Sequence, residues 1–213
     1  MKKKLLHIDS SPRKERSHSR SLSLLFREKW LDNFPEFDLM YRDLYVTPPP
    51  HVDENWIAAA FTPPTKRTIH HTQALEISDH LVDQFFEADY YLLGVPMYNF
   101  GMPSILKAYI DNIIRVNRTF LFTPEDKEAP YKPLVKGKKM FVVVATGDHG
   151  YQKGEILEPM NHLEPHLRTA FGFIGVEDIR FIYSGNDEFG GERLEKSIQQ
   201  AIHKMEDEVC SFV

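Results

Sequence analysis

Short apolar runs alternate with stretches of helical periodicity along most of the chain. Leu5, Leu6 and Ile8 predict a first strand, closed by the polar turn Asp9-Ser10-Ser11-Pro12. Leu22, Leu25, Phe26, Trp30 and Leu31 recur at helical spacing over 21–31. Phe37, Leu39 and Tyr41 alternate with Asp38 and Met40, the pattern of an edge-like strand. A long connection follows over 45–68, with Pro48-Pro49-Pro50, Pro63-Pro64 and one or two helical turns at 54–61. Residues 72–86 read as an amphipathic helix with Leu75, Ile77, Ser78, Leu81, Val82 and Phe85 inward. The run Tyr90–Val95 is a buried strand stopped at Pro96, and Pro103 opens a helix over 103–116 through Ile105, Leu106, Tyr109, Ile110, Ile113 and Ile114. Thr119–Thr123 alternates as a hairpin arm that sets Phe120 and Phe122 on one face and exposes both, and 131–136 brings the chain back. A strand over 140–145, a helix over 161–173 broken near Pro165, a strand through Ile179, Phe181 and Tyr183, and a helix over 192–209 complete the series.

Strands alternating with helices predict an α/β fold, a doubly wound five-stranded parallel sheet with helices on both faces. With 213 residues and no linker, repeat or low-complexity block, residues 1–213 are expected to form one domain burying about 70% of its unfolded surface. A net charge of −5 with scattered basic residues gives no footprint for nucleic acid. Asp9 interrupts the apolar run behind the Met-Lys-Lys-Lys start, so no signal-peptide core is expected, and no run approaches the roughly 20 residues of a membrane span. The single cysteine, Cys210, allows no internal disulfide and fits a cytoplasmic location.

Candidate chemistry concentrates at strand ends. The loop 11–19 brings Ser11, Ser17 and Ser19 hydroxyls to a helix N-terminus, where free amides and the helix dipole favour an anion. Such serines also serve simply as caps. No Gly-Lys-Ser/Thr follows, so a nucleoside triphosphate is not indicated. Arg13, Arg16 and Arg20 stand close enough in sequence to assist. The second loop, Pro96-Met97-Tyr98-Asn99-Phe100, carries more large side chains than a plain turn needs and suits a flat aromatic ligand. Thr146-Gly147-Asp148-His149 ends the 140–145 strand as a third ligand-competent loop. His162 and His166 have i, i+4 spacing, but Leu163-Glu164-Pro165 between them is not a zincin pattern, and His70 and His71 do not share a helix face, so no metal site is expected. No Gly-x-Ser-x-Gly elbow supports a serine hydrolase.

Pro96-Met97-Tyr98-Asn99-Phe100 followed by Leu106-Lys107 and Asp111 resembles the flavin loop of the FMN-dependent NADH-azoreductases, flavodoxin-like enzymes also described as quinone reductases. Collinear matches at Asp9-Ser10-Ser11, Ser17-His18-Ser19, Arg42-Asp43-Leu44, Thr119-Phe120, Gly137-Lys138-Lys139 and Phe171-Gly172-Phe173-Ile174-Gly175 extend the resemblance over nearly the whole chain. It implies a strand order 2-1-3-4-5, in which the topological switch point falls between the loops 11–19 and 96–100. It implies FMN as cofactor, with Ser11, Ser17, His18 and Ser19 at the phosphate and its ribityl approach. Pro96, Met97, Tyr98, Asn99 and Phe100 would border the ring, and Thr146, Gly147, Asp148 and His149 would meet its pyrimidine end. Phe120 and Phe122 would wall the substrate pocket from the opposite subunit of a homodimer. The implied reaction is double displacement, with a hydride passing from NADH, or NADPH, to quinones and azo compounds; a non-enzymatic flavodoxin-type electron carrier is the alternative. No side chain is singled out as a general acid or base. Where the family shows a Gly-Gly pair after the 140–145 strand, this chain has Asp148 and His149.

Overall fold

The computed structural model describes residues 2–211. Met1, Phe212 and Val213, which the single-domain expectation for 1–213 includes, lie outside the described residues. The elements, in chain order, are β1 (Lys4–Asp9), α1 (His18–Asn33), β2 (Asp38–Asp43), α2 (Glu54–Phe61), α3 (Ile69–Glu87), β3 (Tyr90–Pro96), α4 (Ser104–Ile113), β4 (Phe120–Phe122), β5 (Tyr131–Pro133), β6 (Lys139–Ala145), α5 (Leu163–Ile174), β7 (Asp178–Ser184) and α6 (Gly191–Cys210). Five strands form one parallel sheet in the order β2-β1-β3-β6-β7, while β4 and β5 form a separate antiparallel hairpin. Because β4 and β5 stand outside the main sheet, β6 and β7 are its fourth and fifth strands. The order is the expected 2-1-3-4-5.

The period of two along each strand divides the core. Leu6, Ile8, Tyr91, Leu93, Val95, Met140, Val142, Val144, Ile179 and Phe181 pack under α3, α4 and α5. Leu5, Leu92, Phe141, Val143 and Ile182 pack on the other side against Phe26 and Trp30 of α1 and Met205 and Val209 of α6. Both faces of the inner strands are covered, so β3 and β6 are buried almost throughout. β2, at the edge, leaves Leu39 and Tyr41 exposed.

Several boundaries differ from the sequence expectation, each for a local reason. α1 begins at His18, three residues early, because the Ser17 hydroxyl accepts from the Arg20 amide at 3.3 Å. α4 stops at Ile113 rather than running to 116, since the Thr119 hydroxyl donates to the Ile113 carbonyl at 2.8 Å and accepts from the Arg115 amide at 2.8 Å. Pro165 does not break α5: it sits in the first turn, where its missing N–H costs no intrahelical bond, and the Asn161 side chain accepts from the Leu163 and Glu164 amides. Ile77 is not on the inner face of α3. Two residues from Leu75 it is rotated about 200° around the axis, and it is 51% exposed.

The long connection 45–68 contains a full two-turn helix, α2, capped by Asp53, whose carboxylate accepts from the Trp56 amide at 2.8 Å. Trp56, Ala59 and Ala60 pack on Leu75 of α3. Behind them lies a fully buried arginine. Arg115 donates to the Ser78 hydroxyl at 2.6 Å, pairs with Asp79 at 3.3 Å and places its guanidinium 5.4 Å from the Trp56 ring. Burial holds its pKa below the ordinary arginine value. Asn112 donates to the Pro50 carbonyl at 2.7 Å and so ties the proline-rich strap to α4.

Candidate flavin site at the topological switch point

β1 and β3 are neighbours in the sheet, but the helices that follow them leave to opposite faces: α1 joins the layer with α6, α4 the layer with α3 and α5. That divergence opens a cleft of about 200 Å³ at the carboxyl ends of the strands. Ser11, Arg13, Ser17, His18 and Ser19 line it from the β1 side, Pro96, Met97 and Tyr98 from β3, Ala145, Thr146 and Gly147 from β6, and Asp187 and Glu188 from the turn after β7.

At the α1 end of the cleft, Ser11, Ser17 and Ser19 are all buried, and the Ser17 and Ser19 hydroxyls are 3.1 Å apart at the start of the sixteen-residue α1. Buried hydroxyls around free helix amides form a neutral donor set for an anion. The loop is held from below. Asp9 and Asp43 are in register on β1 and β2, and Gly94 is in register with Asp9 on β3. Two carboxylates side by side at a sheet end require a cation, and Arg20 supplies it. Its Nη1 and Nη2 donate to the two Asp43 oxygens at 2.7 and 2.8 Å, with Asp9 at 3.7 Å. The same guanidinium donates to the Ser11 carbonyl from Nε at 2.8 Å and Nη2 at 2.5 Å. Arg20 is therefore directed beneath the loop, and the expectation that it assists at the anion itself gives way to a role in holding Ser11. Burial pushes the Asp43 carboxyl up, but its bonds from Arg20 and from the Tyr45 and Val46 amides outweigh this and set it below the usual range. Tyr41 donates to Asp9 at 3.0 Å, and burial together with that carboxylate pushes its pKa up to about 12. The Ser23 hydroxyl donates to the other Asp9 oxygen at 2.9 Å.

The 96–100 loop is a tight turn of uncommon composition. Tyr98 and Gly101 exchange backbone hydrogen bonds at 2.9 and 3.0 Å around Asn99 and Phe100, whose φ angles are +47° and +68°. Two left-handed residues in succession make a turn that favours Asn-Gly, and here the second position is Phe. A left-handed L-residue costs roughly 1–2 kcal/mol, so local energy is spent to project Phe100, which is 40% exposed. Two bonds hold the turn: the Met97 amide donates to Ala145 at 2.8 Å and the His162 amide to the Phe100 carbonyl at 2.9 Å. Tyr98 lines the cleft, whereas Asn99 and Phe100 lie beside it on the exposed tip.

Thr146 and Gly147 also line the cleft, but Asp148 and His149 do not. The Asp148 carboxylate turns onto its neighbour, accepting from the His149 amide at 2.7 Å and lying 2.9 Å from the ring Nδ1. His149 faces an adjoining polar cavity of about 470 Å³ between the 146–155 loop and α6. Phe120 and Phe122 lie outside both. Phe120 is half-buried against Phe173 at 4.9 Å, contrary to the expectation that both phenylalanines are exposed, while Phe122 is 48% exposed and stacks on Tyr131 at 5.3 Å. Sequence reasoning missed Asp187 and Glu188. Their signal was the polar run Gly185-Asn186-Asp187 after the last apolar strand, the same strand-end position that marked the other three loops. Among the described residues no group of three His, Cys, Asp or Glu side chains is arranged to hold a metal ion, and no helix is long and apolar enough to cross a membrane.

Comparison with known proteins agrees with this geometry. The flavodoxin-like fold family matches residues 3–209. An FMN-dependent NADH:quinone oxidoreductase of Nostoc punctiforme is 45% identical over 208 residues, 98% of each chain. An FMN-dependent NAD(P)H:quinone oxidoreductase 1 of Pseudomonas aeruginosa is 38% identical over 203 residues, covering 95% of this chain and 96% of its own. Among solved structures, an azoreductase from Bacillus anthracis superposes with a TM-score of 0.86 at 22% identity, over 97% of this chain and 98% of its own, a likeness of fold. On the sequence and the sheet order together, this chain belongs to the flavodoxin-like family of the FMN-dependent NADH:quinone oxidoreductases.

Proposed function

We propose that the protein is an FMN-dependent oxidoreductase that passes electrons from NADH to quinones and azo compounds. The carrying observation is the single cleft in which three buried serine hydroxyls at the start of α1 face the Pro96–Tyr98 wall across the switch point. The donor set fits the group: hydroxyls and helix amides for a phosphate monoester, and a rim of Met97, Tyr98 and Gly147 for a flat ring. FMN, when bound, supplies the redox chemistry, accepting the hydride from NADH and delivering two electrons to the acceptor. The protein's own residues bind and orient. Ser11, Ser17, His18 and Ser19 take the phosphate end, Met97 and Tyr98 border the ring with Asn99 and Phe100 at the tip beside it, and Thr146 and Gly147 take its far edge. The relatives' names support the donor and acceptor classes.

The chain acts as one domain, in the cytoplasm where NADH is at hand, and as a homodimer. The exposed aromatic stack of Phe122 on Tyr131, with Phe173 5.5 Å from Tyr131, supports the dimer, because such a patch calls for a cover. In that assembly the hairpin of one subunit walls the pocket of the other, and NADH leaves before the acceptor enters. Reconstitution with FMN followed by anaerobic stopped-flow mixing with NADH tests the function: stoichiometric uptake and rapid bleaching of the flavin absorbance are expected, and a protein that takes up no FMN refutes it. Light scattering at assay dilution tests the dimer, which an active monomer refutes.

A further inference from the structure

Arg13 and His18 line the cleft on the β1 side, and the carboxylates of Asp187 and Glu188 line it on the turn after β7. Asp187 engages both Arg13 and His18. Its Oδ2 accepts from Arg13 Nη1 at 2.8 Å, and its Oδ1 lies 3.0 Å from His18 Nε2. The turn fixes the carboxylate in this place, since the Asp187 amide donates to the Thr146 carbonyl at 3.2 Å and the Glu188 amide to the Gly147 carbonyl at 3.0 Å. His18 is the first residue of α1, so Asp187 stands one side chain away from the helix start that offers its amides to an anion.

Resting on the FMN reading above, we propose that Asp187 restrains the affinity of the cleft for the flavin phosphate by competing with it for Arg13 and His18. Two effects oppose each other. By pairing with Arg13 and His18 the carboxylate keeps them at the cleft wall, but exposed and half-exposed pairs of this kind orient weakly; the side chains of Arg13, His18 and Asp187 are 47%, 31% and 26% exposed. A phosphate monoester carries about −1.5 to −2 charges near neutral pH, so its repulsion by a carboxylate in the same cleft outweighs that orienting effect. Arg13 and His18 are already engaged by the carboxylate, so the phosphate gains less from them than from the serine hydroxyls and helix amides. The proposed result is a site that separates FMN from riboflavin less sharply than its donors permit and responds little to salt.

The test titrates flavin-free wild type and Asp187→Asn with FMN and with riboflavin, following quenching of flavin fluorescence at low and high ionic strength. The variant is expected to bind FMN about tenfold tighter, with riboflavin unchanged, as removal of one like charge near the phosphate implies. Its FMN affinity should fall with salt while that of wild type stays nearly flat, because Arg13 and His18 then face the phosphate directly. Adding Arg13→Gln to the variant should return FMN affinity toward the wild-type value. Unchanged or weaker FMN binding by Asp187→Asn overturns the proposal, as does equal tightening of both flavins. If the Asn variant is unstable, Asp187→Ser in the same titrations decides. A wild type that binds no FMN refutes the functional reading and this proposal with it, whereas an FMN-binding wild type with an unresponsive Asp187 refutes the proposal alone.

Discussion

Replacing Arg20 should cost both stability and cofactor affinity, because one guanidinium joins β1, β2 and the phosphate loop. It makes two hydrogen bonds to Asp43 and two to the Ser11 carbonyl, and its side chain is 13% exposed. A hydrogen bond to a charged group is worth about 1.5–3 kcal/mol, and bonds sharing one guanidinium do not add. Solvent reaches the edge of the pair, which reduces the figure further. The net loss expected for Arg20→Ala is about 2–3 kcal/mol, with Asp9 and Asp43 left facing each other. For a chain of this length that lowers Tm by roughly 4–12 °C. Arg20→Lys keeps the charge but not the fork and should lose about half as much. Urea denaturation near neutral pH measures the difference, and an Ala variant within about 0.5 kcal/mol of wild type refutes the reasoning. The pH dependence has a definite sign. The folded pKa of Asp43 lies below its unfolded value, so its contribution is complete above about pH 4 and disappears as pH falls through the folded value. The gap between wild type and Arg20→Ala should therefore hold down to about pH 4 and close only below it. A gap already closed at about pH 6 assigns the stabilisation to another group.

Ser17→Ala and Ser19→Ala should each weaken FMN binding by about 1.5–3 kcal/mol and spare riboflavin, with Ser17→Ala also losing about 1 kcal/mol of stability as the α1 cap; equal weakening of both flavins in fluorescence titration contradicts the phosphate assignment. Gly94→Ala would place a Cβ against the Asp9 carboxylate and 2.7 Å from the Ser23 hydroxyl, both buried, and should destabilise by about 1–3 kcal/mol in urea. A neutral result there means that the Asp9–Ser23 pair yields readily. Arg115→Ala should cost about 3 kcal/mol and speed proteolysis within 45–68 before the rest of the chain, since it removes the buried contact of the segment after α4 with Trp56 and Ser78. Uniform cleavage along the chain contradicts that local role.

The architecture was readable because period two and period 3.6 were both clean. The runs Tyr90–Val95 and Met140–Ala145 are apolar on both faces, which only a covered parallel strand tolerates, and α3 and α4 each carry an expected stripe that the core occupies, Ile77 of α3 excepted. The two loops that border the cleft stood out for a related reason. Side chains as large as Met97, Tyr98 and Phe100 have no local task in a turn, and serines at a helix start have a physical preference that the sequence states directly.

Tertiary structure decided what depends on partners distant in the chain. Arg20 looks in sequence like one of three arginines near an anion loop, yet its place is set by Asp43, twenty-three residues away, through the register of β1 with β2. Asp187 reaches Arg13 across 174 residues because β7 ends beside β6, and no local pattern encodes that meeting. Arg115 is buried because α2, α3 and α4 converge on it, although a lone arginine at a helix end reads as solvated. Local propensity and periodicity act over a few residues and fix which elements form. Where a charge finds its counter-charge is settled only when strand order brings the loops together.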